Sequence, residues 1–253
     1  MTKIKTADHI YGQLSTDYFN LVKPEPFPEE VEFYQNILNK AVGPSLYAMC
    51  GSGRLLIPLL SAGYNIEGVD YSPYMLECCR NSLDSKGLKA LLYQQSIQEM
   101  VLERIYECIF IIGGSFQLIY PREAAVKTLY AAKKHLIEGG RLYIDTFIPW
   151  EFLYENAHEE TFTNEIRDKD KTSLKIETHT IANKQEQLFK SYNTYSRLKE
   201  GRVIQSEKEV MPVLWYYHYE TILLLESVGF KNAKVCNPKV GQHPELIIYE
   251  AFK

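Results

Sequence analysis

The feature that most constrains this chain is a short apolar strand that runs into a glycine-rich turn and then into a helix. Residues 45–49 form the apolar run, Cys50-Gly51-Ser52-Gly53 is the turn, and residues 54–60 have helical character. A helix that begins at such a turn leaves backbone N–H groups free, which favours an anionic or electron-rich ligand group. Gly51 and Gly53 let a ligand approach the backbone there.

An acid follows the turn at the spacing that a nucleoside ligand requires. Residues 65–70 have the composition of a second strand, and Asp70 stands at its end, about twenty residues after Gly53. A carboxylate at this point can accept hydrogen bonds from both ribose hydroxyls. The third glycine of a dinucleotide fingerprint would fall at position 56, where this chain has Leu56. The pattern therefore predicts an adenosine-containing ligand and disfavours NAD and FAD.

The remaining pattern alternates strands with helices, which predicts right-handed crossovers and a parallel sheet. Further strands are expected near 90–94, 108–112 and 141–147, and helices near 8–22, 29–40, 72–86, 122–136 and 217–228. Gly139-Gly140 is expected to end the helix before the fifth strand. Two terminal strands, near 231–236 and 245–252, are expected to form a hairpin around residues 238–241, so that the last strand enters the sheet antiparallel.

Residues 151–212 have a different hydrophobicity pattern from the rest of the chain. Four stretches with strand-like alternation, near 160–167, 173–182, 187–198 and 202–211, are separated by short polar turns. Connections this short favour antiparallel hairpins. We therefore expect a core domain formed by residues 1–150 and 213–253, with residues 151–212 inserted as a small antiparallel β lid. Because exposed strands pair readily, the same insertion is also a candidate homodimer interface.

Charge and cysteine content exclude several classes of protein. The formal net charge is -4 and the sequence pI is about 5.9, so a global positive field that would gather nucleic acid is absent. The sequence has neither a signal-peptide pattern nor an apolar run of about 18 residues, which argues against membrane insertion. Its five cysteines form neither a C-x-x-C ligand pattern nor a disulfide framework, so we expect reduced thiols, a cytoplasmic location and no metal site.

Several segments together carry a resemblance to a known family. They are residues 50–59, 62–64, 68–76, 114–118, 139–142 and 225–230. In these segments the chain resembles the class I S-adenosylmethionine-dependent methyltransferases, particularly the subgroup with a β-rich lid after the fifth strand. The resemblance covers nearly the whole chain and is weakest from about 150 to 212. It implies a Rossmann-like sheet of seven strands, mostly parallel with an antiparallel last strand.

The resemblance also implies that the chain is an enzyme with S-adenosylmethionine as its cofactor and a small-molecule methyl acceptor. It places Gly51 and Gly53 beside the amino acid part of the cofactor, and Asp70 on the ribose. The other cofactor-binding candidates are Cys50, Ser52 and Arg54 around the turn, Tyr71 and Met75 along the adenine, Ser96, Ile97 and Gln98 at its edge, Gly113 to Phe116 on the sulfonium side, and Tyr11 and Tyr18 on an N-terminal helix.

Three positions depart from the family pattern. Tyr47 stands where the family often has an acid, Met49 where it has a glycine, and Ser96 where an aspartate usually recognises the adenine amino group. An alternative function is therefore a non-catalytic regulatory protein that binds S-adenosylmethionine or a nucleoside and retains the fold.

Methyl transfer from a sulfonium needs no nucleophile on the protein, because the acceptor attacks the methyl group in line. A general base is required only if the acceptor must lose a proton. His179, in a predicted lid strand, His218, at the start of the helix after the lid, and Tyr11 are the candidates for catalysis. The sequence does not identify the acceptor.

Overall fold

A computed structural model describes residues 4–6, 11–23, 25–154, 159–168, 171–236 and 246–253. The helices within these ranges are α1 Gln13–Val22, α2 Pro28–Leu38, α3 Leu56–Ser61, α4 Pro73–Ser85, α5 Arg122–Lys134, α6 Trp150–Tyr154 and α7 His218–Ser227. The strands are β1 Ile4–Thr6, β2 Ser45–Ala48, β3 Ile66–Asp70, β4 Leu92–Gln94, β5 Tyr106–Ile111, β6 Leu136–Thr146, β7 Glu159–Arg167, β8 Thr172–Asn183, β9 Leu188–Lys199, β10 Arg202–Leu214, β11 Lys231–Val235 and β12 Ile247–Phe252.

The chain divides into two compact units, and the larger consists of Glu25–Ile148 and Leu214–Lys253. Its seven-stranded sheet has the order β11-β12-β6-β5-β2-β3-β4. The pairs from β6 to β4 are parallel, whereas β12 is antiparallel to both β6 and β11. The expected Rossmann-like sheet with an antiparallel last strand is therefore confirmed. The expected hairpin tip at residues 238–241 lies outside the described residues.

Local sequence explains how this sheet is built. The first strand, β2, is buried along its whole length and β5 nearly so, as strands covered on both faces by helices should be. Helix α4 begins after Ser72, whose hydroxyl accepts the Met75 N–H at 3.2 Å, with Pro73 in the first turn. The Ser72 cap and the proline in the first turn explain why the helix expected near 72–86 begins at this point.

The start of the fifth core strand differs from expectation. Gly139-Gly140 was expected to precede the strand, but β6 begins at Leu136 and runs through both glycines. Leu136 already pairs with Tyr106 of β5, and the register then shifts before Cys108 pairs with Arg141. Gly139 has a φ of 74°, so it absorbs the irregularity without ending the pairing.

The second unit consists of Met1–Pro24 and Pro149–Val213. Its sheet has the order β1-β10-β9-β8-β7, so the four expected strands of the insertion are present. The sequence analysis did not predict β1, which pairs with β10 in parallel. Residues 1–24, expected in the core domain, thus group with the insertion.

Helix α1 packs on the antiparallel sheet of this second unit. Leu14 and Tyr18 of α1 form an apolar cluster with Leu174, Ile176 and Tyr195 from β8 and β9. The helix begins at Gln13 rather than near residue 8, and residues 7–10 lie outside the described ranges. None of the helices in the described part of the chain is long and apolar enough to cross a membrane.

Candidate functional site

The glycine turn after β2 has an unusual backbone. Met49, Gly51 and Gly53 all adopt left-handed conformations, with φ values of 58°, 57° and 84°. The φ of Met49 explains why a glycine is expected at position 49, because glycine adopts a left-handed conformation without strain. Within the turn, the Gly51 N–H donates to Asp70 Oδ2 at 2.8 Å and the Gly53 N–H donates to the Cys50 carbonyl oxygen at 3.1 Å. Cys50 is buried, whereas Ser52 is half-buried.

Asp70, at the end of β3, is joined to this turn. Its Oδ2 accepts the Gly51 N–H at 2.8 Å, and its Oδ1 accepts the Ser72 N–H at 2.8 Å. Burial raises the pKa of Asp70, while the N–H donors of Ser72, Gly51 and Tyr71 act in the opposite direction. The structure thus brings together the turn and the acid that the sequence predicted to bind a nucleoside.

Packing under the turn accounts for a second glycine. A Cβ on Gly53 would lie 2.6 Å from Cys79 Sγ and 3.0 Å from Ile57 Cδ1, so helix α4 packs directly against this backbone. Met75 of α4 is buried, and its sulfur lies 3.8 Å from the point where a Cβ of Gly51 would be. Tyr71, in contrast, is largely exposed at the carboxyl edge of the sheet.

The predicted adenine-edge residues follow the third core strand. Ser96 precedes a short 3-10 helix formed by Ile97–Glu99, directly after β4. Ile97 is buried, whereas Ser96 and Gln98 are half-buried. They stand one strand beyond Asp70 at the carboxyl edge, because β4 pairs with β3 and Asp70 lies opposite Gln94.

The loop after β5 is held by an acid that the sequence analysis did not single out. Asp145, near the end of β6, accepts the N–H groups of Gly113 and Gly114, each at 2.7 Å. Both glycines are left-handed, with φ values of 76° and 74°. Burial raises the pKa of Asp145 to about 6, and the two backbone donors act in the opposite direction. Phe116, in the same loop, is fully buried and packs against Tyr216 at 5.5 Å between ring centroids.

A second buried polar side chain fixes the same loop. Gln117 Nε2 donates to the carbonyl oxygens of Phe147 and Leu214, at 2.9 and 2.8 Å, and its Oε1 accepts the Phe147 N–H at 2.7 Å. Gln117 and Asp145 were missed because their hydrogen-bond partners are distant in sequence, about 30 residues away for Asp145 and for Gln117 with Phe147, and nearly 100 for Gln117 with Leu214. A sequence signal for Asp145 does exist. It is an acid at the end of one apolar strand, β6, combined with a glycine pair, Gly113-Gly114, directly after the strand before it, β5.

Arg54 binds an acid of its own chain. Its guanidinium pairs with the Glu30 carboxylate of α2 through two contacts of 2.9 and 2.5 Å. Glu30 was also missed by the sequence analysis, because α2 is distant in sequence and carries several acids. Tyr47, which replaces the family's acid, is buried beside this pair, and burial raises the pKa of its phenol well above the usual range. Tyr47 therefore stays neutral.

The three candidates for catalysis are not gathered in one unit. Tyr11 and His179 belong to the unit with the antiparallel sheet, and His218 to the unit with the parallel sheet. His179 is half-exposed, with Nε2 3.2 Å from Glu159 Oε2. His218 stacks on Tyr249, with Nδ1 3.4 Å from its hydroxyl. Their catalytic roles stay predictions.

The two N-terminal tyrosines have their partners within the second unit. Tyr11 has a φ of 60°, and its N–H donates to Glu209 Oε2 at 2.9 Å. The Tyr18 hydroxyl accepts a hydrogen bond from Asn164 at 2.7 Å, and its ring lies 5.8 Å from that of Tyr195. Cofactor contacts of Tyr11 and Tyr18 likewise stay predictions. Among the described residues, no group of three or more His, Cys, Asp or Glu side chains could hold a metal ion.

Comparison with known proteins agrees with this geometry. Residues 46–140 match a family model described as a methyltransferase domain, a range that includes the glycine turn, Asp70 and the loop after β5. A comparison with curated proteins finds no match.

Solved structures share the fold over nearly the whole chain. An S-adenosylmethionine-dependent methyltransferase from Clostridium acetobutylicum is 22% identical, with a TM-score of 0.71 over 93% of this chain and 96% of that one. The sugar N-methyltransferase KedS8 from Streptoalloteichus is 17% identical, with a TM-score of 0.74 over 98% and 97%. The amino pentose methyltransferase CalS10 from Micromonospora echinaspora, solved with S-adenosylmethionine bound, is 13% identical, with a TM-score of 0.68 over 97% and 99%.

Proposed function

We propose that the chain is a class I S-adenosylmethionine-dependent methyltransferase that transfers a methyl group to a small-molecule acceptor by in-line displacement. The methyltransferase-domain match over residues 46–140 and the shared fold support this proposal. The observation that carries this proposal is the Asp70–Gly51 hydrogen bond of 2.8 Å, which ties the ribose-binding acid to the glycine turn. One carboxylate thus supports the turn and faces the position expected for the sugar.

The residues of this site fit the proposed methyl donor. Gly51 carries no side chain and so lets the amino acid part of the donor approach the turn, and Asp70 accepts from the ribose hydroxyls. Met75 is buried under the turn, and Tyr71, exposed at the carboxyl edge, is the more accessible of the two residues proposed to lie along the adenine. When bound, the donor supplies an electrophilic methyl group on a sulfonium. The protein's contribution is to orient the acceptor and exclude water.

The second part of the proposal concerns the class of molecule that accepts the methyl group. Structures that share this fold include enzymes described as a sugar N-methyltransferase, an amino pentose methyltransferase and a glycopeptide N-methyltransferase. A net charge of -4 also disfavours a nucleic acid acceptor. We therefore propose small polar acceptors, with amino sugars as the first class to screen. A cytoplasmic location is part of the proposal, supported by five cysteines that form no disulfide bonds.

Calorimetry with S-adenosylmethionine tests the donor assignment directly. We expect the wild type to bind and Asp70→Ala to bind at least about tenfold more weakly, because two charge-assisted hydrogen bonds to the ribose are lost. Asp84→Ala, which removes an exposed acid on α4, is the matched control and should bind as the wild type does. Absence of binding by the wild type would remove the basis of the proposal.

Methyl transfer itself separates the enzyme from its alternative, a regulatory protein that binds the donor without chemistry. The protein is incubated with methyl-labelled S-adenosylmethionine and a panel of amino sugars, with the Asp70→Ala variant in parallel. Label that appears in an acceptor with the wild type alone supports the enzyme. Tight donor binding without transfer to sugars, other metabolites or proteins would support the regulatory alternative, which the departures at Tyr47, Met49 and Ser96 motivate.

A further inference from the structure

Asp145 is a buried acid that the methyl-transfer mechanism above does not use. Its side chain is almost inaccessible, at 2% exposure, and both carboxylate oxygens bind backbone N–H groups of the loop after β5. Beside that loop there is room for a ligand, because a Cβ built on Gly113 has nothing within 4 Å. Asp145 is therefore a buried charge directly behind an accessible stretch of backbone.

Sheet topology places this loop next to the proposed donor site. The strand order reverses at β2, which pairs with β3 on one side and with β5 on the other. Ligands of open α/β sheets bind in the crevice at such a reversal, outside the carboxyl ends of the strands. A donor with its ribose at Asp70, on β3, therefore directs its other end toward the loop after β5.

The charges around Asp145 do not cancel. Among charged groups, Glu30 of α2 and Arg54 after the glycine turn have the largest effects on Asp145, and they neutralise each other as an ion pair. The titratable groups Tyr34 of α2 and Tyr47 of β2 also face Asp145, but burial raises the pKa of both phenols, so they are neutral. An ionised Asp145 thus leaves one net negative charge in this part of the site.

We propose that Asp145 distinguishes the cationic sulfonium of the methyl donor from the neutral thioether of its demethylated product. Donor and product share the adenosine and the amino acid part, and they differ in one methyl group and one positive charge. A buried carboxylate attracts the cation and leaves the thioether unaffected, so product release is favoured after transfer. The two backbone donors hold this charge behind Gly113 and Gly114.

The protonation state of Asp145 gives the proposal a pH signature. Because burial raises the pKa of this carboxyl to about 6, the charge is present at neutral pH and is lost below that value. Preference for the donor over the product should therefore decline as the pH falls through about 6. Asp70, the other acid at this edge of the sheet, is present in the wild type and in both variants compared below. Any effect of its own titration on donor and product binding is therefore the same in all three proteins.

Calorimetry with S-adenosylmethionine and S-adenosylhomocysteine measures the preference without any acceptor. The quantity compared is the dissociation constant of the product divided by that of the donor. We expect this ratio to fall about fivefold or more in Asp145→Asn at neutral pH. In the wild type the same ratio should fall between about pH 7.5 and about pH 5, and in Asp145→Asn it should not change over that range.

Glu107→Gln is the matched control. Glu107, in β5, accepts the backbone N–H groups of Val42 and Gly43 at 2.7 and 2.6 Å, at the opposite end of the strand from Gly113. In Glu107→Gln the dissociation constant of the product divided by that of the donor should equal the wild-type value. An unchanged ratio in folded Asp145→Asn, or a constant ratio across the pH series in the wild type, would overturn the proposal. This inference rests on the proposed function, whose own failure is distinct, since the wild type would then not bind the donor.

Discussion

Asp70 Oδ2 accepts the Gly51 N–H at 2.8 Å, so the first two strands of the core meet at a single carboxylate. The second oxygen of Asp70 accepts the Ser72 N–H, at the start of α4. The acid thereby orders the glycine turn before any ligand is present, which lowers the entropic cost of binding. Asp70 still has lone pairs for a ribose, because each carboxylate oxygen can accept two hydrogen bonds.

Nucleoside analogues can test the assignment of Asp70 to the ribose. We expect the wild type to prefer adenosine over 2′,3′-dideoxyadenosine, since the analogue lacks the hydroxyls that Asp70 would bind. In Asp70→Asn this preference should fall about tenfold, because the charge-assisted bonds are weakened. Competition against labelled S-adenosylmethionine measures both affinities. A preference that is the same in both proteins would assign the ribose to another residue.

The glycine turn and Asp70 were predictable because each is marked by residues close together in sequence. Glycines and an acid at a fixed spacing, each at the end of an apolar segment, indicated Gly51, Gly53 and Asp70 from the sequence alone. The period-two alternation likewise indicated the four strands of the insertion. Asp145 was included in a predicted strand and given no role, since its partners Gly113 and Gly114 are adjacent only through the pairing of β5 with β6.

Predictions failed where tertiary contacts override local signals. Gly139-Gly140 is a strong breaker in sequence, but pairing with β5 carries β6 through both glycines. The start of α1 is set by Glu207, a residue distant in sequence on β10, and no periodicity of the helix itself could indicate it.

The two roles of glycine in this fold can be separated by paired substitutions. Gly53→Ala introduces both a left-handed alanine, at a φ of 84°, and a Cβ 2.6 Å from Cys79 Sγ. Gly63→Ala has a similar φ of 88° but no atom within 4 Å of the new Cβ. We expect Gly63→Ala to lower the free energy of unfolding by about 1 kcal/mol. Gly53→Ala should cost a further 1–3 kcal/mol, approximately, from overpacking. Urea denaturation of both variants measures the difference, and equal losses would contradict it.

Met49 is a strained residue whose replacement should stabilise the protein. It is half-buried with a φ of 58°, a left-handed conformation that favours glycine. We expect Met49→Gly to raise the free energy of unfolding by about 0.5–1 kcal/mol, because relief of backbone strain exceeds the loss of side-chain contacts. Met49→Ala keeps the strain and should not be stabilised. Denaturant titration compares both variants with the wild type, and a Met49→Gly protein less stable than the wild type would show that packing dominates.

Asp145 should make stability depend on pH in the direction opposite to a salt-bridged acid. Its pKa is raised from 3.8 to about 6, so the folded state binds a proton that the unfolded chain releases between these values. Its contribution is therefore most favourable below about pH 4 and is lost as the pH rises through 6. The difference is roughly 3 kcal/mol. Subtracting the urea-unfolding profile of Asp145→Asn from that of the wild type isolates the effect, and parallel profiles would rule it out.

Glu207 acts as the N-terminal cap of α1, a helix that has no side-chain cap of its own. Its carboxylate accepts the N–H groups of Leu14 and Ser15 at 3.3 and 3.4 Å and the Ser15 hydroxyl at 3.4 Å. A Cβ on Gly12 would collide with this carboxylate, which explains the glycine there. Removing the side chain leaves buried helix donors without their acceptor, so we expect Glu207→Ala to cost about 2 kcal/mol of unfolding free energy.

Glu177→Ala is the control for this effect, because Glu177 belongs to the same sheet but is exposed and pairs with the Lys175 ammonium at 2.9 Å on the surface. Its loss should cost at most about 0.5 kcal/mol. Glu207→Gln keeps an acceptor oxygen and should fall between the two, since the amide lacks the charge that favours a helix N-terminus. Denaturant unfolding ranks the three variants, and hydrogen exchange at the α1 amides locates the change. Equal losses for the two alanine variants would mean that Glu207 does not cap the helix.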